Sequence, residues 1–440
     1  MDLPLIGYVD AVVAARSPEP HRLFYSNPDW ALDDEGPLLL WDTFNEDFAI
    51  SLARREGDGW QRVERLEGAM HSHLVHLPER GLTLVLGVRQ SGHPRAIELW
   101  WREGNGPWQG PIELFGGADF HAGSTPWAIH HGRLFVPFEI QQTERWGSYS
   151  YGCVHAALDS DLRRPGSWTL TQSRVPWSVF AGCSACGGLE GNLVAAPDGE
   201  LYNLLRLPAY SRLGRARWNG AGWDWLGLVQ GVHNQSKHEV FAAADGSAWY
   251  LLANGWPARR TPHTPNEFRN TLCLWQATEP DLSRWRLLRV VASDRNPRHA
   301  FSYVAGIVDP ADDTLLVAER HGDDETHSFH DTNCTVVRIR PGFTRWADAP
   351  ALVPYGHDTV AENGEWTKSN SQDGLLLSHL DGALYPMELT ATVRLDELPA
   401  ERGALDLLGF ATCDLVLIGG IQLVDVGQGP HLALSAGGRR

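Results

Sequence analysis

The sequence lacks the features that mark membrane-spanning and nucleic-acid-binding proteins. No stretch approaches the run of about 18 apolar residues that a transmembrane helix needs. Acidic residues outnumber basic ones by 54 to 37, the formal net charge is -17, and no lysine- or arginine-rich stripe occurs. We therefore expect neither a membrane nor a nucleic acid as partner. The first segment, MDLPLIGYVDAVVAARSPEP, shows no secretory signal, which leaves a cytoplasmic or a mature secreted or periplasmic location open.

Motifs for cofactors and metals are equally scarce. No G-x-G-x-x-G segment follows a strand pattern and opens a helix, and no P-loop occurs, so we expect no cofactor. Of the six cysteines only Cys183 and Cys186 form a C-x-x-C pair, which does not support a four-thiolate zinc site. We expect mostly buried thiols, compatible with a reduced state or with one disulfide. His327 and His330 could ligate a metal with Asp331, but we favour a hydrogen-bonded loop over a pocket and expect no metal.

What the sequence has in abundance is glycine and tryptophan, with 45 and 19 residues, in a chain whose 43% hydrophobic content suffices for a core. One strand–turn–strand phrase recurs six times, with turns near residues 80, 132, 199, 246, 312 and 382. Asp-Gly or His-Gly pairs in several of these turns supply the positive φ angles that tight hairpins need. A tryptophan precedes each hairpin: Trp60, Trp108, Trp168, Trp223, Trp285 and Trp346.

Six such units predict an all-β fold, a six-bladed β-propeller in which each blade is a sheet of about four strands. A two-sheet sandwich would give no reason for the repeated phrase, and a five- or seven-bladed ring stays open if the termini contribute differently. We expect one domain over residues 1–440, with repeats over roughly 55–390. The apolar segment DLLGFATCDLVLIGGIQLVDV would close the ring by pairing with an N-terminal strand.

Three segments together resemble the sialidase (neuraminidase-like) six-bladed propellers, including bacterial proteins with sialidase-like BNR repeats. LEGNLVAAPDGELYNLLR has a Glu, a turn and an Arg, and FRNTLCLWQATEPDLSRW has an Arg, a strand and a degenerate Asp-box turn. AFSYVAGIVDPADDTLLVAE has a Tyr at the start of a blade and a Glu on the return strand. STPWAIHHGRLFVPFE and HSHLVHLPERGLTLVLGVR are similar to the second and first blades, so the resemblance covers roughly residues 70–340.

Carried over by position, the resemblance implies that Tyr303 is a nucleophile and Glu190 its activating partner. Arg206 and Arg269 would be two of three arginines that clamp a substrate carboxylate. A phenol suits a sugar whose carboxylate is on the anomeric carbon, because that carboxylate would repel an anionic carboxylate nucleophile. The expected substrate is therefore an acidic oligosaccharide or polysaccharide, and the expected activity that of a sialidase-like exo-glycosidase.

The sequence departs from the family at two positions. His71 or His73 stands where the first blade of the family begins with an arginine, and Arg89 and His93 stand where an acid–base aspartate is expected. Histidines also flank other predicted inner strands, and they are His121, His238, His321, His327 and His330. Because a neutral imidazole can act as acid or base near neutral pH, we expect His121 to be catalytic.

The remaining candidates are expected to bind the substrate. They are His71, Arg89, Lys237 and His330, together with Arg206 and Arg269. Histidine, tyrosine and arginine would also suit a polysaccharide lyase that removes the C5 proton of a uronic acid by β-elimination. A glycan-binding propeller without activity is the third interpretation, in which Tyr303 packs between blades and Glu190 and Arg206 form a structural ion pair.

Overall fold

The computed structural model divides into two compact units. Residues 1–260 and 267–379 form the first unit, and residues 261–266 and 380–440 form the second. The structure describes residues 11–45, 48–57, 59–90, 95–143, 148–176, 179, 187–207, 212–232, 234, 236–254, 269, 271–293, 299–322 and 332–348. Beyond these it describes only strands, at 359–360, 366–367, 404–411, 417–425 and 430–436.

Six antiparallel sheets of the first unit are the blades of a β-propeller. Blade 1 consists of strands β2 to β5, in that spatial order, with the bounds Leu23–Asp33, Gly36–Asn45, Ala49–Glu56 and Gly59–Glu67. Blade 2 consists of β6 to β9, with the bounds Ala69–Leu77, Leu82–Arg89, Ala96–Glu103 and Gln109–Gly116. A short 3-10 turn, Pro78–Arg80, joins β6 to β7.

Blades 3 to 5 repeat this order. In blade 3 two short strands, β10 and β11, both pair with β12, and the bounds of β10 to β14 are Phe120–His121, Ala128–His130, Arg133–Gln141, Tyr149–Ala157 and Trp168–Ser173. Blade 4 consists of β15 to β18, with the bounds Leu189–Ala195, Leu201–Leu207, Arg212–Trp218 and Trp223–Leu228. Blade 5 consists of β19 to β22, with the bounds Glu239–Ala242, Trp249–Asn254, Thr271–Ala277 and Trp285–Ser293. A second 3-10 turn, Pro165–Ser167, precedes β14.

Blade 6 closes the ring by recruiting the first strand of the chain. Its strands β23, β24 and β25 span Phe301–Asp309, Thr314–His321 and Cys334–Arg340. Strand β1, Ala11–Arg16, pairs antiparallel with β25 as the outermost strand. The pairing covers an edge of β25 that would otherwise be open.

The remaining elements follow blade 6. They are helix α1 at Phe343–Asp348 and strands β26 and β27 at Thr359–Val360 and Trp366–Thr367. In the second unit, strands β28 to β30 form one antiparallel sheet, with the bounds Ala404–Ala411, Leu417–Asp425 and Pro430–Ala436.

The hydrophobic core of the propeller is divided among the blade interfaces. The described buried residues form six clusters, and each cluster joins two adjacent blades, including the interface between blades 6 and 1. At that last interface the Trp30 indole N–H on β2 donates to the Ala305 carbonyl on β23, at 3.2 Å. Burial of apolar side chains between every pair of neighbours therefore holds the ring together without a single central core.

The predicted tryptophan turns have a local structural role at the outer edge of the blades. The Trp168 indole donates to the Leu162 carbonyl at 2.8 Å, and the Trp285 indole donates to the Leu282 carbonyl at 3.0 Å. Both leucines are fully buried, so each turn fixes the start of an outermost strand by a hydrogen bond and an apolar anchor.

The prediction of an all-β six-bladed propeller is confirmed, and five of the six predicted hairpins are the inner hairpins of blades 2 to 6. The position of blade 1 was wrong, because it lies at residues 23–67 and not after residue 55. The hairpin predicted near residue 382 lies outside the described residues. The partner predicted for the N-terminal strand was also wrong, since β1 pairs with β25 and not with the C-terminal strands. One domain over residues 1–440 stays a prediction.

Candidate active site

The first strand of four blades contains the same irregularity, a bulge that interrupts the pairing with the second strand. The interruptions lie between Ser26 and Asp29, Met70 and His73, Leu189 and Asn192, and Ser302 and Ala305. The residue after the break has a left-handed backbone in each case, with φ of 44° at Asn27, 55° at His71, 52° at Glu190 and 53° at Tyr303. This conformation costs a non-glycine residue about 1 kcal/mol or more, and bulges re-aim side chains. The repeated bulge therefore turns one side chain per blade out of the strand pattern.

In three of these blades a charged residue on the second strand lies opposite the residue that precedes the bulge. Asp42 pairs with Ser26, Arg206 with Leu189, and Arg320 with Ser302. In blade 3, Glu139 on β12 pairs with His121 on β10. The first strands of blades 4, 5, 6, 1 and 2 contact one another in that order, which brings the bulges of neighbouring blades together.

Tyr303 lies between arginines of two different blades. The Arg269 guanidinium carbon is 5.4 Å from the centroid of the Tyr303 ring, and that of Arg320 is 4.9 Å from the same centroid. Arg206 makes a side-chain hydrogen bond with Tyr303 as well. All three arginines are buried, whereas the Tyr303 side chain is half-buried. Three cations from blades 4, 5 and 6 thus surround one accessible phenol.

Glu190 and Arg206 form a buried ion pair within blade 4. The Arg206 Nη1 donates to both carboxylate oxygens, at 3.0 Å to Oε1 and 2.9 Å to Oε2. Burial raises the pKa of Glu190, but the pairing with Arg206 outweighs burial, and the pKa lies below its ordinary value. Burial beside two other arginines lowers the pKa of Arg269 to about 10, which still leaves it cationic at neutral pH.

An imidazole pair lies on the other side of Glu190. The rings of His71 and His121 are 4.4 Å apart, and the His121 ring is 5.1 Å from that of Tyr149. The His121 Nδ1 is 3.1 Å from Glu139 Oε2. Burial raises the pKa of Tyr149 above its ordinary value, and the nearby carboxylates of Glu139 and Glu190 raise it further. The Tyr149 hydroxyl is therefore protonated at neutral pH.

Asp42 organises the bulges of blades 1 and 2. Its Oδ2 accepts hydrogen bonds from the Asn27 amide at 2.9 Å and from the His71 backbone N–H at 2.7 Å, and its Oδ1 bonds to the Ser72 hydroxyl. The carboxylate is fully buried, and burial raises its pKa to about 7 despite these donors. Asp42 is therefore a buried acceptor that holds two left-handed residues in place.

Two of the predicted substrate-binding residues have described contacts away from this group. Arg89 pairs with Glu98 at 3.1 Å and Glu113 at 3.0 Å on its own blade. Lys237 is fully buried, with Nζ 3.2 Å from Glu239 Oε2 and 3.4 Å from the carbonyl oxygen of Pro28. Their roles in binding stay predictions.

Other predicted positions lie outside the described residues, and these are His93, His327, His330 and the Cys183/Cys186 pair. Within the ranges given above, no group of three or more His, Cys, Asp or Glu could hold a metal ion. Among the helices of those same residues, none is long and apolar enough to cross a membrane. Cys153, Cys273 and Cys334 are fully buried.

Sequence reasoning missed Asp42, Glu139 and Arg320. What Arg206 and Arg320 share is register across the hairpin. Each pairs with the residue that precedes the bulge, Leu189 in one case and Ser302 in the other. Arg320 is thus the third arginine around Tyr303.

Comparison with known proteins identifies the architecture. No protein-family model matches the chain, and no curated protein matches its sequence. An α-L-arabinanase from Penicillium chrysogenum superposes with a TM-score of 0.54 at 14% identity, over 75% of this chain and 97% of that one.

Two sialidases are similar to a comparable degree. For a mutant sialidase from Trypanosoma rangeli the TM-score is 0.53 at 14% identity, over 78% of this chain and 59% of that one. For the Hadza microbial sialidase Hz136 the TM-score is 0.55 at 10% identity, over 76% and 69%. The chain thus has the six-bladed β-propeller fold of the sialidase and arabinanase structures.

Proposed function

We propose that the protein is a glycoside hydrolase that acts on an acidic sugar, with Tyr303 as the nucleophile. The observation that carries this proposal is the position of a half-buried Tyr303 between Arg269 and Arg320, with Arg206 bonded to it. Three guanidinium groups gathered around one phenol favour an anionic ligand, because arginine binds carboxylates through charged hydrogen bonds. The similarity of the fold to arabinanase and sialidase structures agrees with a carbohydrate substrate.

The chemistry follows from the order of the contacts. The arginines hold the sugar carboxylate, and the Tyr303 Oη attacks the anomeric carbon as the bond to the leaving oxygen breaks. The Arg206 cation stabilises the phenolate, and Glu190, which remains ionised beside Arg206, is the base that receives the phenolic proton. Water then hydrolyses the tyrosyl–sugar bond and restores the phenol.

A substrate panel tests this proposal. Aryl glycosides of a nonulosonic acid and of a uronic acid are compared with the matched neutral sugar. We expect release of the aryl alcohol from an acidic glycoside and not from the neutral one, and a fluorinated analogue should add one sugar mass to Tyr303. Hydrolysis of the neutral glycoside alone would overturn the proposal, and binding without turnover would identify a glycan-binding propeller.

A uronate lyase is the second candidate, and one observation favours it. His71, His121 and Tyr149 form a cluster of proton-carrying groups opposite the arginines. A lyase would neutralise the uronate carboxylate with arginine while one of these groups removes the C5 proton. Its product contains a new carbon–carbon double bond, so ultraviolet absorbance and a mass lower by one water than that of the hydrolysis product distinguish the two reactions.

A further inference from the structure

His71 and His121 are adjacent imidazoles that belong to different blades and have different partners. Their ring centroids are 4.4 Å apart, which brings two groups that can carry protons to one side of Glu190. If both were alike, either could move a proton to or from a substrate. Their hydrogen bonds make them different, because the Nδ1 of His71 faces a hydrogen-bond donor and the Nδ1 of His121 faces an acceptor.

The Nδ1 of His71 is a hydrogen-bond acceptor. The Asn27 Nδ2 donates one hydrogen to Asp42 Oδ2, at 2.9 Å, which fixes the orientation of the amide because a carboxylate oxygen accepts. The second hydrogen of the same nitrogen faces the His71 Nδ1, at 3.3 Å. The proton of the ring is therefore on Nε2. Burial, and next the neighbouring His121, hold the pKa of His71 well below its ordinary value, so the ring is neutral.

The Nδ1 of His121 is a hydrogen-bond donor. It faces Glu139 Oε2 at 3.1 Å, and an ionised carboxylate can only accept. The other oxygen of Glu139 accepts the Gly191 backbone N–H, at 3.1 Å, so that the carboxylate is held at both ends. Glu139 is 2% exposed. With Nδ1 committed to Glu139, only Nε2 of His121 remains to exchange a proton with a ligand.

His121 lies among titratable groups from several strands. The groups that face this region are Glu139 on β12, Glu190 on β15, His71 on β6 and Tyr149 on β13. Further along blade 3, Asp119 pairs with Arg95 at 3.0 Å, so these two charges offset each other. Glu139 accepts the backbone N–H of Gly191, which directly follows Glu190. Glu139 therefore links the His121 imidazole to the bulge that contains Glu190, the proposed base.

We propose that His121, oriented by Glu139, is the group that gives a proton to the leaving oxygen, while His71 stays neutral. This inference rests on the proposed glycoside hydrolysis. As the bond between the anomeric carbon and the leaving oxygen breaks, the electron pair stays on the oxygen and the Nε2 proton of His121 passes to it. When water attacks the tyrosyl–sugar bond, Nε2 takes a proton from that water, so the imidazole returns to its starting form.

The kinetic experiment compares two leaving groups on the same acidic sugar. A nitrophenolate leaves without protonation, whereas an alkoxide does not. We expect His121→Asn to lower kcat for the alkyl glycoside by about 10²- to 10⁴-fold and to lower it far less for the nitrophenyl glycoside. Equal losses on the two substrates would overturn the proposal.

Glu139 is a positioning residue. The pH profile of kcat distinguishes this role from a purely structural one. Loss of the negative charge in Glu139→Gln should move the basic limb of the kcat profile on the alkyl glycoside to lower pH. His71→Gln should leave that limb in place. An unchanged limb in Glu139→Gln contradicts the inference. His155→Gln is the matched control, because His155 bonds to Arg133 and Thr171 within blade 3, outside the described cluster, and should leave the profile unchanged.

A measurement without substrate keeps the two proposals distinguishable. In ¹⁵N spectra of the imidazoles of the full-length protein, His71 should have its proton on Nε2 and His121 should have a proton on Nδ1, as their hydrogen bonds require. A His71 proton on Nδ1, or a His121 Nδ1 without a proton, overturns this inference even if the protein hydrolyses acidic glycosides. If both assignments hold but no glycoside is cleaved, the proposed function fails and the orientation of His121 by Glu139 stands.

Discussion

Glu190 and Tyr303 occupy the same position in two blades that are not neighbours. Each is the left-handed residue of the bulge in the first strand of its blade, with φ of 52° and 53°. Arg206 bonds to both side chains and so joins blade 4 to blade 6 across the intervening blade.

Removal of the Tyr303 hydroxyl should abolish turnover and leave the fold intact. If the phenol is the nucleophile, we expect Tyr303→Phe to lower kcat by about 10³-fold or more, because no other group replaces the covalent step. Tyr202→Phe is a matched control, since the Tyr202 hydroxyl donates to Asp198 in the turn of blade 4. The control should cost about 1 kcal/mol of stability and no activity. A Tyr303→Phe enzyme with more than a tenth of the original kcat would contradict the assignment.

Arg320 should recognise the substrate carboxylate. Loss of a charged hydrogen bond costs about 1.5–3 kcal/mol, which corresponds to a rise in KM of about 10- to 100-fold for Arg320→Met. A substrate whose carboxylate is reduced to an alcohol should show no such rise. Arg54→Met removes an arginine that pairs with Asp33 and Glu35 in blade 1, and should leave KM unchanged. An equal effect of Arg320→Met on the acidic and the reduced substrate would show that Arg320 acts on the fold alone.

The Glu190 side chain is confined by the backbone of blade 3. A Cβ at Gly123 would lie 2.8 Å from the Glu190 Cγ and 3.1 Å from its Cβ. Because Glu190 is held by Arg206, it cannot move away freely, so Gly123→Ala should cost about 1–3 kcal/mol of stability and lower kcat. Gly166→Ala is the control, since a Cβ there meets no atom within 4 Å. Unaltered kcat in Gly123→Ala, measured beside thermal unfolding, would mean that Glu190 tolerates displacement.

The pH dependence of stability should report the buried charges around Lys237. Burial raises the pKa of Glu239 to about 8 and that of Asp29 to about 7. On these two groups the folded protein thus holds protons that the unfolded chain has released, and their contribution to the free energy of unfolding should fall as pH rises from about 5 to about 8.

Glu239→Gln removes the carboxyl group that holds one of these protons in the folded protein. The variant should therefore lose less stability over that pH interval than the natural sequence, by about 1 to 3 kcal/mol, in urea unfolding at each pH. Glu79→Gln, at an exposed position, should keep the original slope. Parallel pH profiles for the natural sequence and Glu239→Gln would refute the account.

The architecture was predictable from the sequence because five inner hairpins share a turn with a fixed backbone requirement. Gly132, Gly199 and Gly246 have positive φ in these turns, as Asp-Gly and His-Gly pairs predict. Blade 1 was missed because Pro28 interrupts its first strand, and a proline inside an apolar run argues against a strand. In the structure Pro28 lies in the bulge, where no ladder hydrogen bond is lost.

The site was only partly predictable. Glu190 and Arg206 were predicted together because one hairpin contains both, and the structure pairs them. Glu139 and Arg320 were missed because they lie inside strands, where a sequence pattern marks them only as polar interruptions. Their importance depends on register across the hairpin, and a slip of one residue would reverse the face on which each lies.

The repeated bulge gives blades 1, 4 and 6 the same pair of positions for two different side chains. Asn27 with Asp42, Glu190 with Arg206 and Tyr303 with Arg320 are different chemical pairs in one backbone setting. The apolar clusters between blades do not depend on these two positions. The reactive side chains can therefore be substituted in one blade at a time while the ring stays folded. A propeller of this kind can therefore acquire a new substrate specificity through a few substitutions at these strand positions, without any change in loop length or structure.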